Sequence, residues 1–253
     1  MLHALIERLR QGHRTMPFPA EPPRLPERFR GLPRLEAGRC PAGCRACVEA
    51  CPTGAITVEP AGPVIDLGRC LFCPACVAAC PQQAISFSNE YRLAARNRED
   101  LLVRAGKGMR RAEPLSGRLK SLFGRSFKLR QVSAAGCNAC EADTNVLNTL
   151  AWDLGRFGVQ FVASPRHADG ILVTGPVSEN MREALLQTLE GVPEPRLVIA
   201  CGACAIGGGP FRDHPQVHNG VDPLLPVDLY IPGCPPHPAT IMDGLLRLLG
   251  RID

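Results

Sequence analysis

Thirteen cysteines are the residues of this 253-residue chain with the clearest capacity for chemistry. Most of them stand in tight groups separated by two or three residues, which is typical of metal ligation. Thiolates are soft ligands that suit iron-sulfur clusters and zinc. Residues 1–10 have no signal-peptide pattern, so we expect a reducing cytoplasm, where metal ligation is favoured over a disulfide scaffold.

Eight of the cysteines form an internal repeat in residues 40–81. The second copy matches the Cys-x2-Cys-x2-Cys-x3-Cys-Pro run of bacterial two-cluster ferredoxins, and much of it recurs 29 residues earlier. In such domains the fourth cysteine of each run binds the other cluster. The predicted ligands are Cys40, Cys44, Cys47 and Cys80 for one 4Fe-4S cluster, and Cys70, Cys73, Cys76 and Cys51 for a second.

The first copy departs from the regular spacing, because Pro41 stands where a cysteine is expected. We expect Cys40 to reach its iron from a looser loop. The alternatives are a three-iron cluster or a fourth ligand that is not cysteine. A structural zinc module also uses four cysteines, but the tandem run is far more specific for clusters.

From residue 127 the sequence alternates between strand and helix patterns. The predicted strands are 127–133, 159–163, 171–174, 196–200 and 228–231, and the predicted helices are 141–154, 179–189 and 238–249. This alternation predicts an α/β fold, a flavodoxin-like doubly wound parallel sheet. In the predicted helix 141–154, Val146, Leu147, Leu150 and Leu154 are expected to face inward.

The other five cysteines follow strands of this predicted sheet, at the edge where open α/β sheets bind ligands. Cys201 stands at a strand end and is interpreted as a small buried hydrophobe. The predicted ligands of a third 4Fe-4S cluster are Cys137, Cys140, Cys204 and Cys234.

These patterns divide the chain into four parts. Residues 1–36 are a helix and a proline-rich arm, 37–90 a small α+β domain of the bacterial 2x4Fe-4S ferredoxin type, 91–126 a basic linker or strap, and 127–253 the α/β 4Fe-4S domain. The helix places Leu2, Leu5, Ile6 and Leu9 on one face, which favours either packing on a neighbour or contact with a membrane surface or membrane partner.

Of the 29 Lys and Arg residues in the chain, 12 fall between Arg92 and Arg130, and most of these 12 lie in the strap. It is interpreted either as a solvated linker or as a surface for an acidic partner or anionic lipid. The formal charge of +5 counts every cysteine as neutral. Since thiolate ligands would offset it, the charge is poor evidence for nucleic-acid binding, and we expect no nucleic-acid partner.

The C-terminal 130 residues resemble the small subunit of energy-converting, membrane-associated nickel-iron hydrogenases (group 4), including formate hydrogenlyase. They are similar, more distantly, to the quinone-proximal iron-sulfur subunit of respiratory complex I (20 kDa). The resemblance rests on LFGRS at 122–126, CNACE at 137–141, SPRHAD at 164–169, GAC at 202–204 and PVDLYIPGCPP at 226–236. The N-terminal half resembles the two-cluster ferredoxin subunit of the same complexes, including FRGLP at 29–33. Here the two subunits are fused.

Three details refine the resemblance. Complex I members have two adjacent cysteines at the first ligand site, whereas the spacing of Cys137 and Cys140 is similar to that of the hydrogenases. Ala139 stands where the family often has glycine, and Asp143 where it often has glutamate. A proton-relay role implied by the family therefore falls on either Asp143 or Glu141.

The resemblance implies a non-catalytic electron-transfer subunit of an oxidoreductase complex, with three 4Fe-4S clusters. Its partners would be a nickel-iron catalytic large subunit, membrane subunits, and an electron donor such as a ferredoxin or formate dehydrogenase. The expected location is the cytoplasmic face of the cell membrane, held peripherally through those partners. The alternatives are a complex I-like module that serves a quinone or other acceptor without nickel, and a free redox carrier or iron-sulfur sensor.

Overall fold

The N-terminal part of the chain is built from short helices and strands. The computed structural model describes residues 2–12, 14–41 and 43–252. In chain order its first elements are α1 (Leu2–Gln11), β1 (Pro33–Leu35), α2 (Ala46–Glu49), β2 (Ile56–Glu59), β3 (Gly62–Asp66), α3 (Ala75–Ala79), β4 (Ile85–Phe87) and β5 (Leu102–Arg104).

The internal repeat of the sequence is also a structural repeat. β1, α2 and β2 recur 29 residues later as β3, α3 and β4. β1 pairs with β4 and β3 pairs with β2, both antiparallel, so each copy completes its sheet with a strand of the other copy. This exchange confirms the predicted α+β ferredoxin-type domain.

The C-terminal part is a parallel α/β domain. Helix α4 (Gly117–Phe123) of the strap precedes it, and its own elements are β6 (Phe127–Ser133), α5 (Ala139–Val146), β7 (Val159–Phe161), β8 (Gly170–Thr174), α6 (Glu179–Glu190), β9 (Leu197–Cys201), α7 (Ala203–Gly207), β10 (Leu229–Ile231) and α8 (Pro238–Leu248). The five strands lie in the order β10-β9-β8-β6-β7, and every neighbouring pair is parallel. Numbered along the sheet this is 2-1-3-4-5, the flavodoxin-like order, which confirms the predicted fold.

The central strands of this sheet are covered on both faces. Every residue of β8 and β9 is buried, which explains why both strands are almost continuously apolar. All eleven residues of α8 are buried as well, and Ile241, Leu245 and Leu248 join the core on one side of the sheet.

One helix is shorter than its sequence pattern predicts. The predicted helix 141–154 is wrong in length, because α5 ends at Val146 and a short 3-10 helix begins only at Leu154. Thr149 donates its hydroxyl to the Val146 carbonyl, and such local side-chain bonds compete with helical ones. Leu147 is buried, but Leu150 is 81% exposed and does not face inward.

The strap (residues 91–126) connects the two domains through backbone hydrogen bonds. Its strand β5 pairs with β3 of the ferredoxin-type domain. Further upstream, Ala95 exchanges two hydrogen bonds with Tyr230 of the edge strand β10, at 3.0 and 2.9 Å. The strap therefore extends a sheet in each domain and fixes their relative position.

Much of the strap's positive charge is neutralised inside the chain. Five of its arginines have carboxylate partners: Arg92 and Arg111 with Glu90, Arg98 with Asp66, Arg104 with Glu59, and Arg110 with Glu113. This pairing disfavours the interpretation of the strap as a docking surface for acidic partners.

The helices of the described residues are all short. The longest, α6, has 12 residues, and none is long and apolar enough to cross a membrane.

We expect Arg98→Ala to weaken the connection between strap and ferredoxin-type domain. The Arg98 guanidinium binds both oxygens of Asp66, at 2.8 and 2.6 Å, in a largely buried setting. Losing a charged bidentate pair of this kind lowers the free energy of unfolding by about 1–3 kcal/mol. Urea denaturation followed by far-UV circular dichroism measures the change.

The matched control is Arg110→Ala, which removes the exposed pair with Glu113 on the same strap. Exposed pairs contribute little, so this variant should unfold like the unmodified protein. Equal destabilisation by the two substitutions would contradict the role given to Arg98.

Candidate iron-sulfur sites

Three small cavities are each lined by four cysteines. Their cysteines are Cys40, Cys44, Cys47 and Cys80 in the first, Cys51, Cys70, Cys73 and Cys76 in the second, and Cys137, Cys140, Cys204 and Cys234 in the third. The structure thus groups the twelve cysteines in the predicted sets of four.

The structural repeat explains the composition of the first two cavities. α2 and α3 lie side by side, and the last cysteine of each run, Cys51 or Cys80, reaches the cavity of the other copy. Cys40 lines the first cavity although its spacing is one residue longer. Burial raises the pKa of the Cys47 thiol most, and the nearby Cys40 raises it further.

Backbone N–H groups point at several of these sulfurs. Ala55 donates to the Cys51 Sγ and Ala84 to the Cys80 Sγ, both at 3.2 Å, and these two bonds are related by the repeat. Phe72 donates to the Cys70 Sγ at 3.3 Å. Such bonds stabilise negative charge on sulfur. Four thiols around one cavity are the donor set that a 4Fe-4S cluster requires.

The third cavity lies at the carboxyl edge of the parallel sheet. Cys137 follows β6, Cys140 lies in the first turn of α5, Cys204 lies in α7, and Cys234 follows β10. Because parallel strands end at the same edge, cysteines that are far apart in the sequence meet there.

Two glycines leave room for the sulfurs of this third set. Gly202 has φ +94°, and a Cβ atom placed on it would lie 2.5 Å from the Cys140 Sγ. Gly209 has φ +55°, and a Cβ atom there would lie 2.6 Å from the Cys204 Sγ. Only glycine fits both the backbone conformation and the space.

The third cavity is buried on one side and open on the other. Cys204 is 8% exposed and burial raises its pKa to about 12, while Cys137 and Cys234 are exposed. Cys201 is fully buried in the hydrophobic core, and burial raises its pKa to about 12. It is not among the residues that line the cavity.

The two carboxylates considered for proton relay occupy different surroundings. Glu141 is buried and lines the third cavity, where its Oε1 accepts hydrogen bonds from the Ser133 and Thr174 hydroxyls, both at 2.6 Å. Asp143 instead lines a wider cavity beside Cys234, and burial raises its pKa. Sequence reasoning missed the two hydroxyl donors; their only signal is a polar residue at the end of each of two strands.

This wider side cavity lies between the arm, the Leu71–Phe72 loop and the start of α8. His237 lines it, and its Nδ1 accepts a hydrogen bond from the Ala239 N–H at 3.2 Å. Burial lowers the pKa of His237, which favours the neutral ring, and a neutral ring whose Nδ1 accepts this bond carries its proton on Nε2. Arg28 and Arg30 bring the arm to this cavity, a role that the sequence did not predict.

Neighbouring cavities lie close to each other. Burial raises the pKa of Cys76 to about 11, the Cys73 and Cys51 thiolates of the same cavity raise it further, and Cys47 of the first cavity adds a smaller effect. Although Cys234 is exposed as a residue, the protein around its sulfur raises the pKa of the thiol by desolvation, and Cys137 and then Cys73 of the second cavity raise it further. The second cavity therefore lies between the other two.

Comparison with known proteins follows the same division of the chain. Residues 39–84 match the family described as 4Fe-4S dicluster domain, and residues 137–248 match NADH ubiquinone oxidoreductase, 20 Kd subunit. A probable membrane-bound hydrogenase subunit, mbhJ, of Pyrococcus furiosus is 39% identical over 143 residues, which are 56% of this chain and 86% of that protein. The chain belongs to the family of the 20 kDa subunit of NADH ubiquinone oxidoreductase. The predicted family resemblance is therefore confirmed.

Two further relatives of this family are matched over a smaller share of their own length. Formate hydrogenlyase subunit 7 of Escherichia coli is 42% identical over 129 residues, 51% of each protein. An NADH-quinone oxidoreductase subunit of Roseiflexus sp. is 42% identical over 138 residues, 54% of this chain and 48% of that protein. The chain spans about half the length of these two relatives.

We expect Cys201→Ala and Cys204→Ala to differ in iron content. Cys204 lines the third cavity, so its loss should remove one cluster, about four irons per chain, whereas Cys201→Ala should keep them all. Iron and acid-labile sulfide analysis of the two anaerobically purified variants measures the difference. Loss of iron from Cys201→Ala with retention in Cys204→Ala would reverse the choice of ligand.

Proposed function

We propose that this chain is an electron-transfer subunit that relays electrons through three 4Fe-4S clusters to or from a nickel-iron catalytic large subunit. The observation that carries the proposal is the series of three four-cysteine cavities, with the second between the other two. Membership in an oxidoreductase subunit family supports the redox role.

The residues of the chain hold and space the clusters. When bound, the clusters supply one-electron redox chemistry and the chain supplies no substrate chemistry. Cys40, Cys44, Cys47 and Cys80 hold the first, Cys51, Cys70, Cys73 and Cys76 the second, and Cys137, Cys140, Cys204 and Cys234 the third. The strap keeps the second and third sites adjacent through its bonds to β3 and β10.

The exposed side of the third site supports a partner at this end of the relay. Cys137 and Cys234 are exposed in the single chain, and a protein that covers them would bring its own redox centre close. The relatives from Pyrococcus and Escherichia coli are named as subunits of a hydrogenase and of formate hydrogenlyase, which favours a nickel-iron centre. The electron donor or acceptor then docks at the opposite end, near Cys40.

A complex I-like module without nickel is the alternative. It is favoured by the NADH-quinone oxidoreductase relatives, which are as similar as the formate hydrogenlyase subunit. In this case the partner at the third site would serve a quinone or another acceptor.

We propose that protons follow the electrons on the Asp143 side of the third site. Asp143 lines the open side cavity, and its raised pKa favours proton uptake. Glu141 is held by two hydroxyl donors inside the protein and serves as the inner carboxylate of this path.

Metal analysis of the native complex, purified anaerobically, separates the two functions. We expect about one nickel and at least about twelve irons per copy of this chain, since each 4Fe-4S cluster holds four irons and the nickel-iron centre adds its own, together with dihydrogen evolution. Twelve irons without nickel would favour the quinone alternative. Eight irons would contradict the third cluster or the use of Cys40.

Helix α1 supports a peripheral position at the membrane. None of its residues is buried, and its apolar face is open: Leu2 is 72% exposed, Leu5 59% and Leu9 83%. Arg8 and Arg10 flank this face, which is the pattern of helices that lie in a lipid interface. We propose that α1 contacts the membrane while the partner subunits hold the rest of the chain there.

We expect Leu5→Glu with Leu9→Glu to reduce binding to vesicles that contain anionic lipid, because the charges would enter the apolar interface. Vesicle flotation of the purified complex measures the fraction bound to the vesicles. Ala4→Glu with Gln11→Glu adds the same charge to the polar face and serves as the matched control. An equal loss in both variants would show that net charge, not the apolar face, controls binding.

A further inference from the structure

The loop between Cys70 and Cys73 has an unusual backbone. Phe72 has φ +52°, a left-handed conformation that a bulky residue rarely adopts. In this conformation its N–H donates to the Cys70 Sγ at 3.3 Å. Its side chain is 8% exposed and lies against the Phe87 ring, with centroids 6.3 Å apart.

The proline-rich arm contacts this loop at the same residue. The Arg30 Nε–H donates to the Phe72 carbonyl. The backbone that follows Arg30 is held in place, because the next two residues donate backbone hydrogen bonds, Gly31 to Ser88 at 2.8 Å and Leu32 to Glu90 at 2.9 Å. The arm thus braces the loop from a fixed position.

The first copy of the repeat provides an internal comparison. The offset of 29 residues places Gly43 opposite Phe72, and Gly43 also has a positive φ, +77°. Glycine adopts this conformation without steric cost, whereas phenylalanine does not. The second copy therefore needs a restraint that glycine makes unnecessary in the first.

We propose that Arg30 is a positioning residue for the second cluster: it holds Phe72 so that its N–H donates to the Cys70 Sγ, which raises the reduction potential at that site. This inference rests on the proposed function, since it takes Cys70 as a ligand. Hydrogen bonds to ligand sulfur stabilise the more negative, reduced state and are one of the factors that set cluster potentials. The contact between Arg30 and Phe72 makes the two ferredoxin-type sites inequivalent.

The test is redox potentiometry of the holo complex, followed by electron paramagnetic resonance, on Arg30→Ala, Arg30→Lys and Arg28→Ala. The second cluster is assigned as the signal altered in Cys70→Ser. We expect Arg30→Ala to shift the potential of that cluster downward by clearly more than it shifts the potentials of the other two. Arg28 lines the same side cavity, so Arg28→Ala controls for the loss of a nearby positive charge.

Two comparisons distinguish positioning from charge. Arg30→Lys keeps the charge but not the planar donor. It should therefore shift the potential downward, but by less than Arg30→Ala does. In a Phe72→Gly background, where the loop needs no brace, Arg30→Ala should shift the potential much less. An unchanged potential in Arg30→Ala, or an equal shift in Arg28→Ala, would overturn the inference.

The proposed function is tested on the unmodified complex alone. Fewer than three reducible clusters there would contradict the relay, whereas the role of Arg30 depends only on the difference between variants.

Discussion

Grouping four thiols around one small cavity is unfavourable, and the architecture of this protein depends on overcoming that cost. Burial and the charge of neighbouring thiolates both raise the pKa of these cysteines, as for Cys76 and Cys47. Cluster binding requires the deprotonated form and is coupled to folding. The Ala55 and Ala84 N–H groups offset part of this cost by donating to cysteine sulfurs, and Gly202 leaves space for another sulfur.

Two different scaffolds in this chain each group four thiols. In the ferredoxin-type domain a repeat exchanges strands and cysteines between its copies, so neither copy can form a site alone. In the α/β domain, parallel strands bring three distant loops to one edge. The strap joins the scaffolds through β5 and Ala95, and the position of the second site next to the third follows from those bonds.

A good part of this structure could be predicted because its signals are local and periodic. The strands of the α/β domain lie within about two residues of their predicted positions. The predicted helix 141–154 failed because the apolar spacing of Leu150 and Leu154 continued past a turn that Thr149 helps to form. Periodicity records which residues could be buried, not where hydrogen bonding stops.

The sequence by itself determined the cysteine sets, the repeat and the fold class. Cysteine spacing and the alternation of strands and helices are patterns among residues that lie close together along the chain. Only the tertiary structure decided that Cys40 lines the first cavity, for which the sequence left alternatives open, that Ser133 and Thr174 donate to Glu141, and that Arg30 contacts Phe72. These features depend on contacts between segments up to tens of residues apart. Such contacts are set by packing and backbone hydrogen bonds that leave no pattern in a local stretch of sequence.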